Sequence, residues 1–334
     1  MWKPILTLLF VAALMGCDKS SRDTATQRSA EPRQKVIFAF TYQPESTLVH
    51  VAMAKGYFTG EGLDVQPLMH TFGKAALQSV LDSKADFATV AETPVMFSVL
   101  KGDQICVIAG IVESTSNTAV VARKDAGIVA PADLKGKRIA FTPGTTGDFF
   151  LDSFLTANGL TRQDIQPVPF KPEEMQDAML AKKVDAAATW NYPLTQIQQA
   201  LGSNGVLFLD RQIYTQTFNI AAQQEFVRKN PQTVQRLLRA LIKAEEFVAK
   251  YPEEAQTIMS DATKTDKNLI REVWPTFSHK VALDQALIIT LEDETRWAIK
   301  NKLTDKTEVP AYTNYTCLDG LKAVKPAAVH MMNP

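Results

Sequence analysis

Phe87-Ala88-Thr89-Val90-Ala91-Glu92-Thr93-Pro94 decides how the chain is built. Phe87–Ala91 reads as a strand. Thr93-Pro94 then supplies an N-cap and a first-turn proline, so a helix begins directly after the strand. Working outward, residues 36–40 form another continuous apolar run, and Leu48, Val51 and Ala52 follow at helical spacing until Gly56 stops them. Residues 63–68 predict the next strand, with Leu77, Val80 and Leu81 marking the helix after it. Residues 105–112 are a further apolar strand. The order is βαβαβ, an open parallel sheet with helices on both faces.

A second unit repeats this logic. Residues 138–142 predict a strand, and Phe150, Leu151, Phe154 and Leu155 form a helix face that ends near Gly159. Strands are predicted over 165–170, 184–190 and 206–209, with helices marked by Met175, Ala178 and Met179 and by residues 193–201. After residues 218–222 the pattern becomes almost wholly helical, through 231–251, 252–262, 267–276 and 284–300. The run 118–124 alternates, unlike its neighbours, and suits an antiparallel strand leaving the first unit, with 218–223 as its return. Two such crossings between two α/β lobes make a hinged body with a cleft.

Composition narrows the function. Lysine plus arginine and aspartate plus glutamate both number 36, so the formal net charge is zero, and no basic stripe suggests nucleic acid. The four histidines are scattered and no cysteine–histidine cluster has metal-ligand spacing. Cys106 lies in an apolar run and reads first as a buried small hydrophobe; an export route permits a Cys106–Cys317 disulfide, which the spacing does not establish. Glu173-Glu174, Glu245-Glu246 and Glu253-Glu254 read as solvated helix faces, unlike the opposed carboxylates of a glycosidase. Neither a Gly-x-Ser-x-Gly elbow nor a His-Glu-x-x-His pair occurs, so an enzyme is not expected, nor any cofactor.

The first residues have a secretory order: a charge at Lys3, an apolar run over 5–15, then Gly16-Cys17. That run is about half the roughly 20 residues a membrane-spanning helix needs. Leu14-Met15-Gly16-Cys17 resembles a bacterial lipobox, which implies that Cys17 is acylated and becomes the mature N-terminus. The alternative is an ordinary cleaved signal with an incidental cysteine. Residues 18–34 are polar and have nothing to bury, as a disordered tether would. Several acyl chains would anchor the protein stably to the outer face of the cytoplasmic membrane. In a Gram-negative host that is the periplasmic side, and Asp18 resembles an inner-membrane retention signal.

Three ordered segments carry a wider resemblance. Lys55-Gly56-Tyr57-Phe58-Thr59-Gly60-Glu61-Gly62-Leu63-Asp64-Val65 resembles an element of periplasmic solute-binding proteins of the nitrate, sulfonate and taurine type, a superfamily that includes binders of thiamine pyrimidine precursors. Asp133-Leu134-Lys135-Gly136-Lys137-Arg138-Ile139-Ala140 resembles the start of their second lobe, with Gly144-Thr145-Thr146 following where they bind ligand. Val184-Asp185-Ala186-Ala187-Ala188-Thr189-Trp190 with Pro193 resembles a third such segment. The resemblance runs from about Lys35 to the C-terminus. It implies an α/β, two-lobe fold of the type II periplasmic-binding-protein class, each lobe a mostly parallel sheet flanked by helices. The expected division is 1–17 signal peptide, 18–34 tether, 35–122 plus 218–334 lobe I, and 123–217 lobe II.

Ligands of open α/β sheets sit beyond the carboxyl ends of the strands. Those ends supply Tyr42, Gln43, Phe72, Gly73, Glu92, Thr93, Asn117, Thr142, Gly144, Thr145, Thr146, Trp190, Asn191 and Tyr214 as ligand contacts. Gly144-Thr145-Thr146-Gly147 has the composition for an anion at a helix start, although Asp148 already supplies negative charge there; the alternative is that a threonine merely caps its own helix. Lys74 offsets that charge or is simply solvated. Glu92 either accepts from an amine or ring N–H of the ligand or complements its own helix dipole. Glu45 reads as first-turn helix chemistry. Tyr42, Phe72, Trp190 and Tyr214 wall a planar ring, cage a cation, or plug strand ends. Met175, Met179, Trp274 and Trp297 read as core.

The expected function is capture of a small anionic or zwitterionic solute, sulfonate-, taurine- or nitrate-like, by hinge closure and delivery to an ABC permease and ATPase. A pyrimidine or other planar heterocycle is the alternative ligand. A ligand-sensing partner of a membrane signalling protein is the alternative role. A eukaryotic pyrimidine synthase resembles these binders but carries a cysteine-rich motif absent from this chain.

Overall fold

The computed structural model describes residues 33–331. The leader, Cys17 and most of the tether lie outside the described residues. Among the described residues twelve strands fall into two sheets. In chain order they are β1 (Gln34–Thr41), β2 (Leu63–His70), β3 (Phe87–Ala91), β4 (Ile105–Ser114), β5 (Thr118–Arg123), β6 (Arg138–Phe141), β7 (Gln166–Pro169), β8 (Ala186–Trp190), β9 (Gly205–Phe208), β10 (Gln216–Gln223), β11 (Ser278–Asp284) and β12 (Val329–His330). The first sheet runs β12-β11-β4-β10-β3-β1-β2 and the second β7-β6-β8-β5-β9.

The parallel pairs β1–β2, β1–β3, β6–β7 and β6–β8 follow from the βαβ pattern. Each sheet also holds antiparallel strands: β10 lies between β3 and β4, and β5 lies between β8 and β9. The strand that leaves and the strand that returns are thus both antiparallel to their neighbours. The expected boundary shifts, however. Thr118 already pairs with Trp190, so β5 belongs wholly to the second sheet, whereas a lobe I reaching residue 122 would have split it. Gln216 and Thr217 pair with Ser114 and Glu113 of the first sheet. The chain therefore crosses at 115–117 and again at 209–215.

Strand β5 shows how the second sheet is buried. Val120 and Ala122 enter one apolar cluster with Ile139, Phe150 and Phe154. Ala119 and Val121 enter another with Met175, Met179 and Ile197. Successive side chains point to opposite faces, so a helix layer on each side demands an unbroken apolar run. The first sheet packs against helices Thr47–Ala54, Pro231–Lys250 and Gln285–Lys300 in one large core. Glu61 of the first resemblance segment anchors that packing, accepting Arg239 Nε and Lys243 Nζ at 2.6 Å each from helix Pro231–Lys250. Gly62 beside it has φ +77°, a left-handed turn that favours glycine.

Two corrections follow. The C-terminal part is not wholly helical: β11 lies antiparallel along β4, and β12 pairs with β11. Cys106 is not merely a small hydrophobe, because it forms a disulfide with Cys317 across 211 residues of sequence, with a Cα–Cα distance of 5.8 Å. Among the described residues no helix is long and apolar enough to cross a membrane, and no group of histidine, cysteine and carboxylate side chains could hold a metal ion.

Candidate ligand-binding cleft

Where the carboxyl ends of the two sheets face each other, a cavity of about 20 Å³ is lined from both sides. The first sheet contributes Gln43, Glu45, Phe72, Gly73, Lys74, Ala91, Pro94, Gln216 and Phe218; the second contributes Thr145, Thr146 and Trp190. Phe72 and Gly73 sit where β2 passes into helix Gly73–Leu81, and a Cβ on Gly73 would lie 3.0 Å from Val90 Cα and 3.2 Å from the Phe218 ring. A larger groove of about 230 Å³ adjoins it, sharing Lys74 and Pro94 and adding Pro143, Gly144 and Asp148.

Direct bonds join the two sides. Lys74 Nζ donates to the Pro143 carbonyl at 2.7 Å, and Trp190 Nε1 donates to Gln43 Oε1 at 3.3 Å. Outside the cavity, Trp297 Nε1 donates to Asp152 Oδ2 at 2.8 Å, and Gln199 Nε2 donates to Glu272 at 3.0 Å. The cavity holds about one water by volume, against the roughly 300–1,000 Å³ of ordinary ligand pockets. This is a closed cleft.

Helix Thr146–Ala157 presents its N-terminus to the cavity with Thr145 as N-cap residue. The Thr145 hydroxyl donates back to the Thr142 carbonyl at 2.7 Å, and Asp148 Oδ2 accepts from Gly144 N–H at 2.8 Å. Asp148 thus occupies one donor that an anion would use. Burial pushes its carboxyl up, opposed by Arg162, which pairs with it at 2.5 Å. The N–H groups of Thr146 and Gly147 lie at the orphan positions of the helix, with no acceptor among the described residues. Trp190 backs this turn: a Cβ on Gly147 would come within 3.0 Å of the Ala188 carbonyl and 3.3 Å of the indole. Lys74 is pulled below the usual lysine range, first by burial and then by Lys101.

The fourteen candidates from the sequence therefore divide. Gln43, Phe72, Gly73, Thr145, Thr146 and Trp190 line the cavity, and Gly144 lines the adjoining groove. Asn117 and Asn191 lie behind the lining. Asn191 N–H donates to Asn117 Oδ1 at 3.1 Å, with Asn191 held at φ +30°. Tyr42 lies outside the lining and is 41% exposed. Thr142 donates to the Phe170 carbonyl, and Tyr214 packs its ring on Phe149 with centroids 5.4 Å apart. Glu92 and Thr93 are fully buried away from the lining; Glu92 accepts from Thr217, and Thr93 donates to Glu294.

Sequence reasoning missed Glu45. It stands in the tight turn Pro44–Ser46 after β1, 1% exposed. Asn117 Nδ2 donates to its Oε1 at 2.9 Å, and Asn191 Nδ2 donates to Oε1 at 2.7 Å and Oε2 at 2.9 Å. Burial raises its pKa, and those amide bonds act the other way. The strand-end rule already covered Tyr42 and Gln43 and would have reached Glu45 two residues on.

Residues 43–255 match the family model described as NMT1/THI5 like. A putative binding protein of Brucella abortus is 29% identical over 231 residues, covering 66% of this chain and 69% of that one. A putative aliphatic sulfonates-binding protein of Bacillus subtilis is 24% identical over 280 residues, 82% of each chain. The structure of the alkanesulfonate-binding protein SsuA from Xanthomonas axonopodis pv. citri bound to MOPS superposes with a TM-score of 0.73 at 16% identity, covering 86% of this chain and 100% of that one. The fold is that of periplasmic binding proteins.

Proposed function

The chain belongs to the NMT1/THI5-like family, and from that premise we propose that it captures a small anionic or zwitterionic organic solute for an ABC importer. The solute is sulfonate-, taurine- or nitrate-like in chemistry. The observation that carries this reading is the cleft itself, closed by residues of both sheets at the carboxyl ends of their strands. Opening at the crossings 115–117 and 209–215 would admit the ligand, and closure would present one shape to a permease and its ATPase. Thr146 and Lys74 face an anionic group on one side, while Gln43, Phe72 and Trp190 enclose its body. The relatives' names support the chemical class. Three aromatic rings in the lining, Phe72, Trp190 and Phe218, favour a second reading, a planar heterocycle.

A thermal-shift screen of the purified chain against taurine, alkyl sulfonates, nitrate, aminopyrimidines and riboflavin tests both. A ligand at 100 times its Kd stabilises by about 2.7 kcal/mol. The rise should vanish in a folded Trp190→Ala or Thr145→Ala/Thr146→Ala variant, and mass spectrometry should recover the ligand chemically unaltered. A pyrimidine hit would move the proposal to the second reading. Silence across the panel, with no carried-over ligand, would remove both.

The proposal includes export and tethering through acylated Cys17, for which the leader and the Leu14–Cys17 motif are the support. The Cys106–Cys317 disulfide suits an oxidising compartment. Labelled palmitate should enter the wild-type chain and not Cys17→Ser; equal labelling of both would end the tether reading.

A further inference from the structure

Glu45 presents an accounting problem that its neighbours leave unsolved. Glu45 lines the closed cavity and is 1% exposed. A buried carboxylate normally meets a cation, since an unpaired one costs several kcal/mol. The donors to Glu45 are all neutral: Asn117 Nδ2, both bonds from Asn191 Nδ2, the Gln216 side chain and its own backbone N–H. None of the ion pairs among the described residues includes it. The lysine that shares the cavity, Lys74, donates to the Pro143 carbonyl and makes no ion pair with Glu45. The surroundings suit a cation as well. Trp190, Phe72 and Phe218 line the same cavity, and ring faces attract positive charge.

The three bonded partners also come from three parts of the molecule. Glu45 follows β1 of the first sheet, Asn117 lies on the first crossing, and Asn191 opens the helix after β8 of the second sheet. Asn191 is held at φ +30° with its N–H on both the Asn117 carbonyl, at 3.0 Å, and Asn117 Oδ1, at 3.1 Å. Closing the cleft therefore brings a lobe II amide onto the carboxylate and fixes where it points.

We propose that Glu45, aimed by Asn117 and Asn191, is the specificity residue that receives a protonated amine of the ligand, so that the captured solute is a zwitterion. This rests on the solute-capture reading above and narrows it. The anionic group faces Lys74 and the start of helix Thr146–Ala157, and the ammonium faces Glu45 across the aromatic lining. A purely anionic solute would leave Glu45 a neutral, protonated carboxyl, as burial favours, whereas an ammonium would draw it into the charged form.

Taurine and isethionate differ only in carrying an ammonium or a hydroxyl on the same ethanesulfonate frame. Isothermal titration of the full chain with each separates the two claims. Taurine should bind at least ten-fold more tightly, the scale of one charge-assisted hydrogen bond. A folded Glu45→Gln variant, checked by circular dichroism, should bind the two within about three-fold of each other. Isethionate binding as tightly as taurine to the wild-type chain overturns the assignment while leaving anion capture standing. A taurine preference that survives in Glu45→Gln also overturns it. If neither sulfonate binds, the capture reading fails for this class and the inference fails with it. Even if the variant does not fold, the wild-type comparison alone can still overturn the assignment.

Discussion

Asp185→Ala is expected to destabilise the second lobe by about 3–5 kcal/mol, the cost of removing one member of a buried charge cluster. Asp185 precedes β8 and joins the ends of three strands. Its Oδ2 accepts from the Arg138 N–H at 3.0 Å and Nε at 3.1 Å, and its Oδ1 from Arg138 Nη2 at 2.7 Å and Arg123 Nη2 at 3.2 Å. The two arginines differ in what they lose. The Arg138 side chain is 40% exposed, so water would replace the carboxylate. The Arg123 side chain is 5% exposed and would keep only Asp125, at 3.3 Å, leaving a guanidinium largely unpaired in the interior. Most of the loss belongs to Arg123, so Arg123→Met with Asp185→Ala should recover part of it.

The same site predicts an acid limit. Burial alone would raise the Asp185 carboxyl, but the Arg138 bonds and charge, with Arg123 added, hold it at about 2 against an ordinary 3.8. A depressed carboxyl stabilises the fold above its unfolded value and loses that contribution as pH falls through the folded one. The gap between wild type and Asp185→Asn should therefore be full at neutral pH and close as pH falls from about 4 towards 2. Urea titrations across that range measure it. A gap under about 1 kcal/mol at pH 7 would mean the cluster behaves as an ordinary surface pair.

Asp185 also shows how much a sequence segment can say. Val184 to Trp190 was legible as a strand because its residues are apolar and small, and both its ends carry chemistry. The leading end pins Arg123 and Arg138 through Asp185, and the far end puts Trp190 in the cleft. The βαβ units and the long helix Pro231–Lys250 were legible for the same reason: each is set by a local period and a cap or stop. Strand β11 was not. Ser278-His279-Lys280 is half exposed and polar, and only pairing with β4 at the sheet edge makes it a strand. The disulfide spans 211 residues, beyond any local rule. Glu45 fails differently. An acid in the turn after a strand looks like helix-dipole chemistry, and its role arises only when amides 72 and 146 residues away arrive beside it. Glu92 shows the reverse error in kind, since a strand-end acid that looked available to ligand turns inward instead.

That inward turn yields the second large prediction. Glu92 opens helix Glu92–Lys101, Glu294 lies in helix Gln285–Lys300, and both are fully buried. Glu92 Oε2 accepts from Thr217 N–H at 2.9 Å and Oγ1 at 3.1 Å, while Glu294 Oε1 accepts from Thr93 Oγ1. Glu92 Oε1 and Glu294 Oε2 have no partner among the described residues. Burial pushes Glu92 up to about 8, with the Thr217 bonds opposing, and pushes Glu294 well up, with the Glu92 charge adding to it. Both carboxyls are therefore held protonated in the folded chain at neutral pH, whereas in the unfolded chain they ionise near 4.5. Where the folded state binds more protons, stability falls as pH rises, by up to about 1.4 kcal/mol per pH unit for each proton held. The window opens near 4.5 and for Glu92 closes near 8. Glutamine keeps the shape and the acceptor towards threonine and cannot ionise. The Glu92→Gln/Glu294→Gln variant should lose this part of the pH slope, and at pH 8.5 it should exceed wild type by roughly 2–4 kcal/mol. Urea titrations at pH 5, 7 and 8.5 decide it. Parallel profiles for the two proteins would mean that the buried pair carries no linked protons, and that its unpartnered oxygens are satisfied by water instead.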